Sequence, residues 1–191
     1  VARSMSDESW SPREILDNDA MTDRLLHGKP APKFMRVVAI LETMWDWRAM
    51  TSSAGYTEAP RYFRIHRENY SGRRLYKLVG PNAKLLVTNA CRELASGPEK
   101  HGRPDPIWLG ENLRIIDGVG GTLPGGGIVP DREWPPIDVL LVCGGVAQKT
   151  YKACGYTPRA ARVIEIPHPA ARMVWTKQFI ENTARRIQGS C

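Results

Sequence analysis

Arg162–Arg172 reads RVIEIPHPAAR, and its character changes halfway along. Val163, Ile164 and Ile166 form a β-branched run, which fits a packed, extended strand. His168-Pro169 then interrupts the run, and small residues lead on to Arg172. The stretch predicts a strand that delivers a histidine to the edge of a sheet. Earlier in the chain, Lys84–Asn89 (KLLVTN) is an apolar run ending on a carboxamide, and Met35–Glu42 (MRVVAILE) is another ending on a carboxylate. In open α/β sheets ligands sit beyond the carboxyl ends of the strands, so Glu42, Asn89 and His168 are candidates for a single site.

The rest of the chain fits the same frame. Ser11-Pro12-Arg13-Glu14 is a helix start, with Ser11 as N-cap, Pro12 at the first helical position and Glu14 placed for a capping box. That helix is expected to reach about Leu26 and stop at Gly28. Residues 43–69 show no sustained period and crowd Trp45, Trp47, Tyr56, Tyr62 and Phe63 into a loop-like region just before Tyr70, as satellite core or as pocket lining. Ser71–Val79 predicts a short helix, Ile137–Cys143 a buried strand, Val146–Cys154 a helix and Met173–Gln188 a closing helix. Strands alternating with helices imply an α/β fold, a three-layer α/β/α arrangement around a central, mainly parallel sheet. One domain is expected over 1–191, with 1–32 as an N-terminal helical extension and 93–136 as an irregular, Gly-rich insertion. Within that insertion Gly118–Gly127 holds six glycines, which suit a flexible connector, a mobile lid or a DNA-probing loop.

Composition narrows the function classes. The formal charge is +7, from 27 basic against 20 acidic residues, and arginine outnumbers lysine 19 to 8. Arginine's planar fork suits phosphate oxygens, which favours a nucleic-acid partner. Cys91, Cys143, Cys154 and Cys191 show no CxxC spacing and no histidine placed as a zinc partner, so reduced, mostly buried thiols and no metal are expected. No run approaches the length of a membrane span and no charged-then-apolar signal pattern opens the sequence, so the expectation is a cytoplasmic monomer away from membranes.

Five segments, in order over most of Met35–Gln188, resemble the uracil-DNA glycosylase superfamily. LETMW (Leu41–Trp45) sits where the iron-sulfur branch carries Gly-Glu-Ala-Pro-Gly, and ENYSGRRL (Glu68–Leu75) resembles its Pro-Phe-x-Gly-x-x-Gly-x-x-Leu segment. VTNACRE (Val87–Glu93) is similar to its strand ending Thr-Asn-Val-x-x-x-Arg, VLLVCGGVAQKTY (Val139–Tyr151) to its later strand–helix step, and IPHPAAR (Ile166–Arg172) to its His-Pro-Ser motif. The resemblance implies a uracil-DNA glycosylase-like fold, DNA as partner, and hydrolytic excision of a flipped pyrimidine. It makes Glu42 and His168 catalytic, Asn89 and Tyr70 base-recognising, and Arg172, Arg73 and Arg74 the DNA contacts.

The chemistry of these residue types agrees. Breaking an N-glycosidic bond passes through a cationic sugar while the base departs as an anion, so the site needs a carboxylate near the sugar and donors near the base. Glu42 is suited to activate water, His168 to donate to the leaving base, Asn89 to read its edge and Tyr70 to stack on it. No lysine lies in the matched motifs to form a Schiff base, so a monofunctional enzyme without a cofactor is expected.

The departures carry information too. The iron-sulfur branch's cysteine pattern is missing, so no cluster is expected. Leu41, Thr43, Met44 and Trp45 replace the first motif's glycines, alanine and proline, and Ala170 replaces the serine after His-Pro. Because that glycine-proline turn helps exclude 5-substituents, its loss suggests a bulky hypermodified pyrimidine, such as the glucosylated hydroxymethylcytosine of phage DNA, and a role in anti-phage defence. The alternatives are a repair enzyme for uracil or deaminated bases, and a non-catalytic DNA-binding module of the same fold. The glycine-rich run follows no clean strand and lacks a Lys-Ser or Lys-Thr ending, which excludes a nucleotide phosphate loop.

Overall fold

Four short apolar runs become the strands of one parallel sheet. In the computed structural model, β1 is Met35–Leu41, β2 Ala83–Asn89, β5 Val139–Cys143 and β6 Arg162–Ile166, in the spatial order β2-β1-β5-β6. The structure describes residues 34–43, 59, 61–65, 67–93, 102–119, 121–122, 128–129, 137–159 and 162–189. The helix expected over 11–26 and the aromatic residues Trp45, Trp47 and Tyr56 lie outside the described residues.

The central strands are apolar along their length because both faces are covered, as parallel strands require. Val37, Ala39 and Leu41 join Leu85, Val87, Val139, Leu141, Ile164 and Ile166 on one face. Val38, Ile40, Leu86, Leu140 and Val142 point to the other. Helix α1 (Tyr70–Val79) and helix α4 (Lys177–Gln188) cover the first face with Leu75, Leu78 and Ile187. Helix α2 (Pro106–Ile116) and helix α3 (Gly145–Ala153) cover the second with Leu109, Leu113, Ile116 and Ala147. The result is a three-layer α/β arrangement with an all-parallel four-stranded sheet. In β6 the apolar residues alternate, Val163 and Glu165 facing out, which suits its place at the sheet edge.

The helix ends follow local chemistry. Asn69 caps α1 by accepting from the Ser71 and Gly72 amides, and Thr176 caps α4 by accepting from Phe179 N at 3.1 Å. The closing helix therefore starts at Lys177 rather than Met173, leaving 173–176 as a non-helical approach. The expectation of an irregular 93–136 is corrected by α2 and by a short antiparallel ribbon, β3 (Gly121–Thr122) with β4 (Ile128–Val129). Asp105 caps α2 through Trp108 N at 2.9 Å and Pro106 opens its first turn. Gly110 lets this helix press onto α3's end: a Cβ there would stand 3.0 Å from the Cys154 carbonyl oxygen. No described helix is long and apolar enough to cross a membrane.

Candidate active site

All four strands are parallel, so their carboxyl ends share one edge of the sheet. From β1 the chain crosses to β2 on one side, and from β5 to β6 on the other, so the edge beyond β1 and β5 is a topological switch point. Glu42 is the first residue past β1, Asn89 the last of β2, and His168 stands just past β6. Leu41 is in register with Asn89, and the ladder continues beyond them through Ala90 N to Leu41 O at 2.7 Å and Cys91 N to Glu42 O at 3.0 Å. Glu42 and Asn89 are thus neighbours by backbone pairing.

His168 has to come back across the end of β5 to join them, and Gly144 makes this possible. Its φ of +91° is a left-handed conformation, and a Cβ there would lie 2.9 Å from the His168 Cβ. Gly144 N donates to Ile166 O at 2.8 Å, locking the β5 and β6 ends together. Trp175 Nε1 donates to His168 O at 3.0 Å. Arg74 Nη1 donates to Pro169 O and, at 2.8 Å, to Ala171 O. The histidine is held from several elements.

Its tautomer is also fixed. Ala170 N donates to His168 Nδ1 at 3.1 Å, so Nδ1 is the acceptor and the neutral ring carries its proton on Nε2. Burial lowers the His168 pKa from the ordinary 6.5, while the nearby Glu42 carboxylate pulls the other way. The ring is therefore a neutral donor at physiological pH, within the electrostatic reach of Glu42.

Asn89 is fully buried, and neither its Oδ1 nor its Nδ2 has a hydrogen-bond partner among the described residues. Thr88, one residue earlier and on the opposite face, donates to Arg61 O at 2.6 Å, and Asn112 accepts from Arg61 Nη1 at 2.8 Å. Thr88 and Asn112 on the α2 side thus find protein partners, and Asp117 at the end of α2 keeps one oxygen bonded and one without a partner, whereas Asn89 leaves both functions of its amide open at the strand end. Desolvating such a group without a partner costs about 1–3 kcal/mol. Strand-end amides kept in that state are candidates for binding a ligand edge.

Tyr70 opens α1 at the same end of the molecule, 45% exposed, with the Arg74 guanidinium 4.4 Å from its ring centroid. Arg74, expected as a DNA contact, has its guanidinium committed to Tyr70, Trp175 and the two carbonyls of the histidine loop, and so acts within the protein. Arg73 and Arg172 are exposed. Next to Arg172, Met173 is 92% exposed and Val174 43%, an apolar tip that sequence reasoning passed over by placing it in a helix. On the other side, a cavity of about 500 Å³ begins at Arg92, directly after the Glu42-paired Cys91, and is lined by Glu93, Arg103, Asp105 and Ile107 among others. Cys91 and Cys143 are buried free thiols, and burial pushes Cys91 up to about 12.

The arrangement brings a carboxylate, an Nε2–H donor, a two-function amide and an exposed aromatic ring to one end of the sheet. Such a set can activate a water, stabilise an anionic leaving group and read a planar polar edge. Among the described residues, no cluster of histidine, cysteine and carboxylate side chains is placed to hold a metal ion. No protein-family model matches the chain, and no curated protein matches it.

Proposed function

We propose that this chain is a monofunctional DNA glycosylase of the uracil-DNA glycosylase type, which flips a modified pyrimidine out of DNA and hydrolyses its bond to deoxyribose. The observation that carries the reading is the buried, unpartnered amide of Asn89 beside Glu42 and the neutral His168. A pyrimidine's Watson–Crick edge presents the donor and acceptor that this amide lacks.

In the reaction the C1′–N bond breaks and its electron pair leaves with the base. Glu42 takes a proton from the attacking water, whose oxygen bonds to C1′, and its charge offsets the cationic sugar. His168 donates from Nε2 to the carbonyl oxygen where the base's negative charge collects. Tyr70 stacks on the extruded ring, and the Arg172–Val174 tip, with Met173 foremost, occupies the gap in the duplex.

The cavity beside Cys91 supports a bulky 5-substituted substrate over plain uracil. Its volume lies within the range of small-ligand pockets, and Arg92, Glu93, Arg103 and Asp105 offer the mixed donors and acceptors that sugar hydroxyls bind. Glucosylated hydroxymethylcytosine in phage DNA is the proposed substrate, with defence against such phages as the role. The experiment is a side-by-side measurement of abasic-site formation on uracil-containing, hydroxymethylated and glucosylated DNA. Release from glucosylated DNA is expected to be fastest. Rapid release of uracil alone would return the enzyme to base-excision repair, and release from none would leave a DNA-binding module.

A further inference from the structure

Helix α1 carries Arg73, Arg74 and Lys77 and no acidic residue. Arg74 is turned to the histidine loop, but Arg73 and Lys77, four residues apart, share the exposed face, and no ion pair engages either among the described residues. Arg67 extends this line: its guanidinium lies 4.5 Å from the Tyr76 ring centroid, which holds it flat against the helix. Beside it a cavity of about 170 Å³ is lined by Arg64, Arg67, Lys84, Tyr76 and Phe34, with no carboxylate among its described lining residues. Lys84 Nζ itself sits 4.4 Å from the Phe34 ring centroid.

The line has a direction. Tyr70 begins α1 at the end of the molecule where Arg74 meets the His168 loop, whereas Lys84 and Leu85 belong to the start of β2, the opposite end from Asn89. At 1.5 Å per residue α1 covers roughly 15 Å, and successive phosphates of one B-form strand advance about 3.4 Å along the axis. The basic line therefore spans about four to five nucleotides. A solvated helix face is usually mixed in sign, and this one is not.

We infer that the outer face of α1 is the track of the DNA backbone leading away from the flipped nucleotide, with phosphates meeting the exposed Arg67, Arg73 and Lys77. The ligand chemistry is the phosphate oxyanion, recognised by arginine forks and a lysine without reading sequence. This track rests on the reading of the strand-end site as one that acts on DNA, but it extends that reading to residues far from the base.

The test is equilibrium binding, at several salt concentrations, to unmodified duplexes carrying short or long arms on either side of a central mismatch. Two variants are used, Arg67→Ala/Arg73→Ala/Lys77→Ala and the purely surface Arg73→Glu/Lys77→Glu, which cannot fail by unpacking the core. Arg185→Ala/Arg186→Ala serves as the control: it removes charge at the end of α4, beside Arg162 at the opposite sheet edge. Each phosphate contact contributes about 0.9 to the slope of log affinity against log salt. The triple variant is expected to lose about two to three from that slope and about tenfold or more in affinity, only on duplexes whose arm exceeds about four nucleotides. The control should keep the wild-type slope. Equal behaviour of the track variants and the control would overturn the track, as would inorganic phosphate binding to Arg67 and Lys84 with DNA affinity unchanged in the variants. None of these duplexes contains a target base, so absence of base release, which would sink the glycosylase reading, leaves this measurement independent.

Discussion

His168 and Asn89 stand at the ends of two strands of the same sheet, and the fold surrounds them in opposite ways. The histidine is tied down from several sides: Nδ1 by Ala170, the carbonyl by Trp175, the following turn by Arg74, and the backbone path by Gly144. With Nδ1 accepting, the ring's proton is left on Nε2. The asparagine is packed as deeply as the surrounding valines and leucines, yet its amide has no hydrogen-bond partner among the described residues. The first group is fixed in one orientation, and the second is buried with both ends of its amide open. On the proposed function, the difference separates a side chain held in one tautomer from one kept open for the edge of a base.

The largest effect expected from disturbing this pair comes through their common neighbour. Glu42→Gln retains shape and hydrogen bonding but loses the charge, so base release should fall by about a hundredfold or more while DNA binding persists. Rates from single-turnover abasic-site formation check this, and full activity would remove Glu42 from the chemistry.

Gly144→Ala attacks the aiming of His168 directly. The new Cβ meets the His168 Cβ at 2.9 Å in a left-handed backbone, so a stability loss of about 1–3 kcal/mol and a rate loss approaching a hundredfold are expected. Gly145→Ala is the matched comparison. Nothing lies within 4 Å of its Cβ position, and alanine in the first turn of α3 should be neutral or stabilising by up to about 1 kcal/mol. Similar behaviour of the two variants in denaturant titrations would contradict the account of Gly144.

A smaller effect follows from pH. Burial keeps the folded His168 pKa below 6.5, so the unfolded chain takes up this proton first as pH falls. The contribution of His168 to stability is therefore complete above about 6.5 and is lost as pH drops through the window below it, and protonation of Nδ1 removes the bond from Ala170. Base release should decline as the folded histidine takes up its proton below 6.5, and a pH–rate profile that stays flat down to the onset of acid unfolding would count against this. Smallest is Trp175→Phe, which keeps the edge-on contact with Phe179 but removes the donor to His168 O, costing about 1 kcal/mol.

Much of the frame is legible in the sequence for a physical reason. Strands buried on both faces read as near-continuous apolar runs, so MRVVAIL, KLLVT and VLLVC announce themselves, and parallel pairing puts whatever follows them at one edge. Helix α2 is harder to see because Gly110 interrupts its pattern and glycine-rich sequence follows it, although Asp105-Pro106 is a readable start signal. Arg74 looks like any exposed arginine on a basic helix. Its work depends on carbonyls about a hundred residues away, which no local pattern encodes. The unpartnered state of Asn89 is likewise a property of the assembled neighbourhood, invisible in VTNACRE.

Asn89→Leu tests the central claim most directly, because it sets folding and function against each other at one residue. If the amide is reserved for a base, replacing it with an apolar side chain of similar size removes an unmet desolvation cost. Stability should then rise by about 1–3 kcal/mol, or several degrees in thermal midpoint, while base release and selectivity collapse. A variant that is less stable, or one that still excises its base at the wild-type rate, would contradict the account.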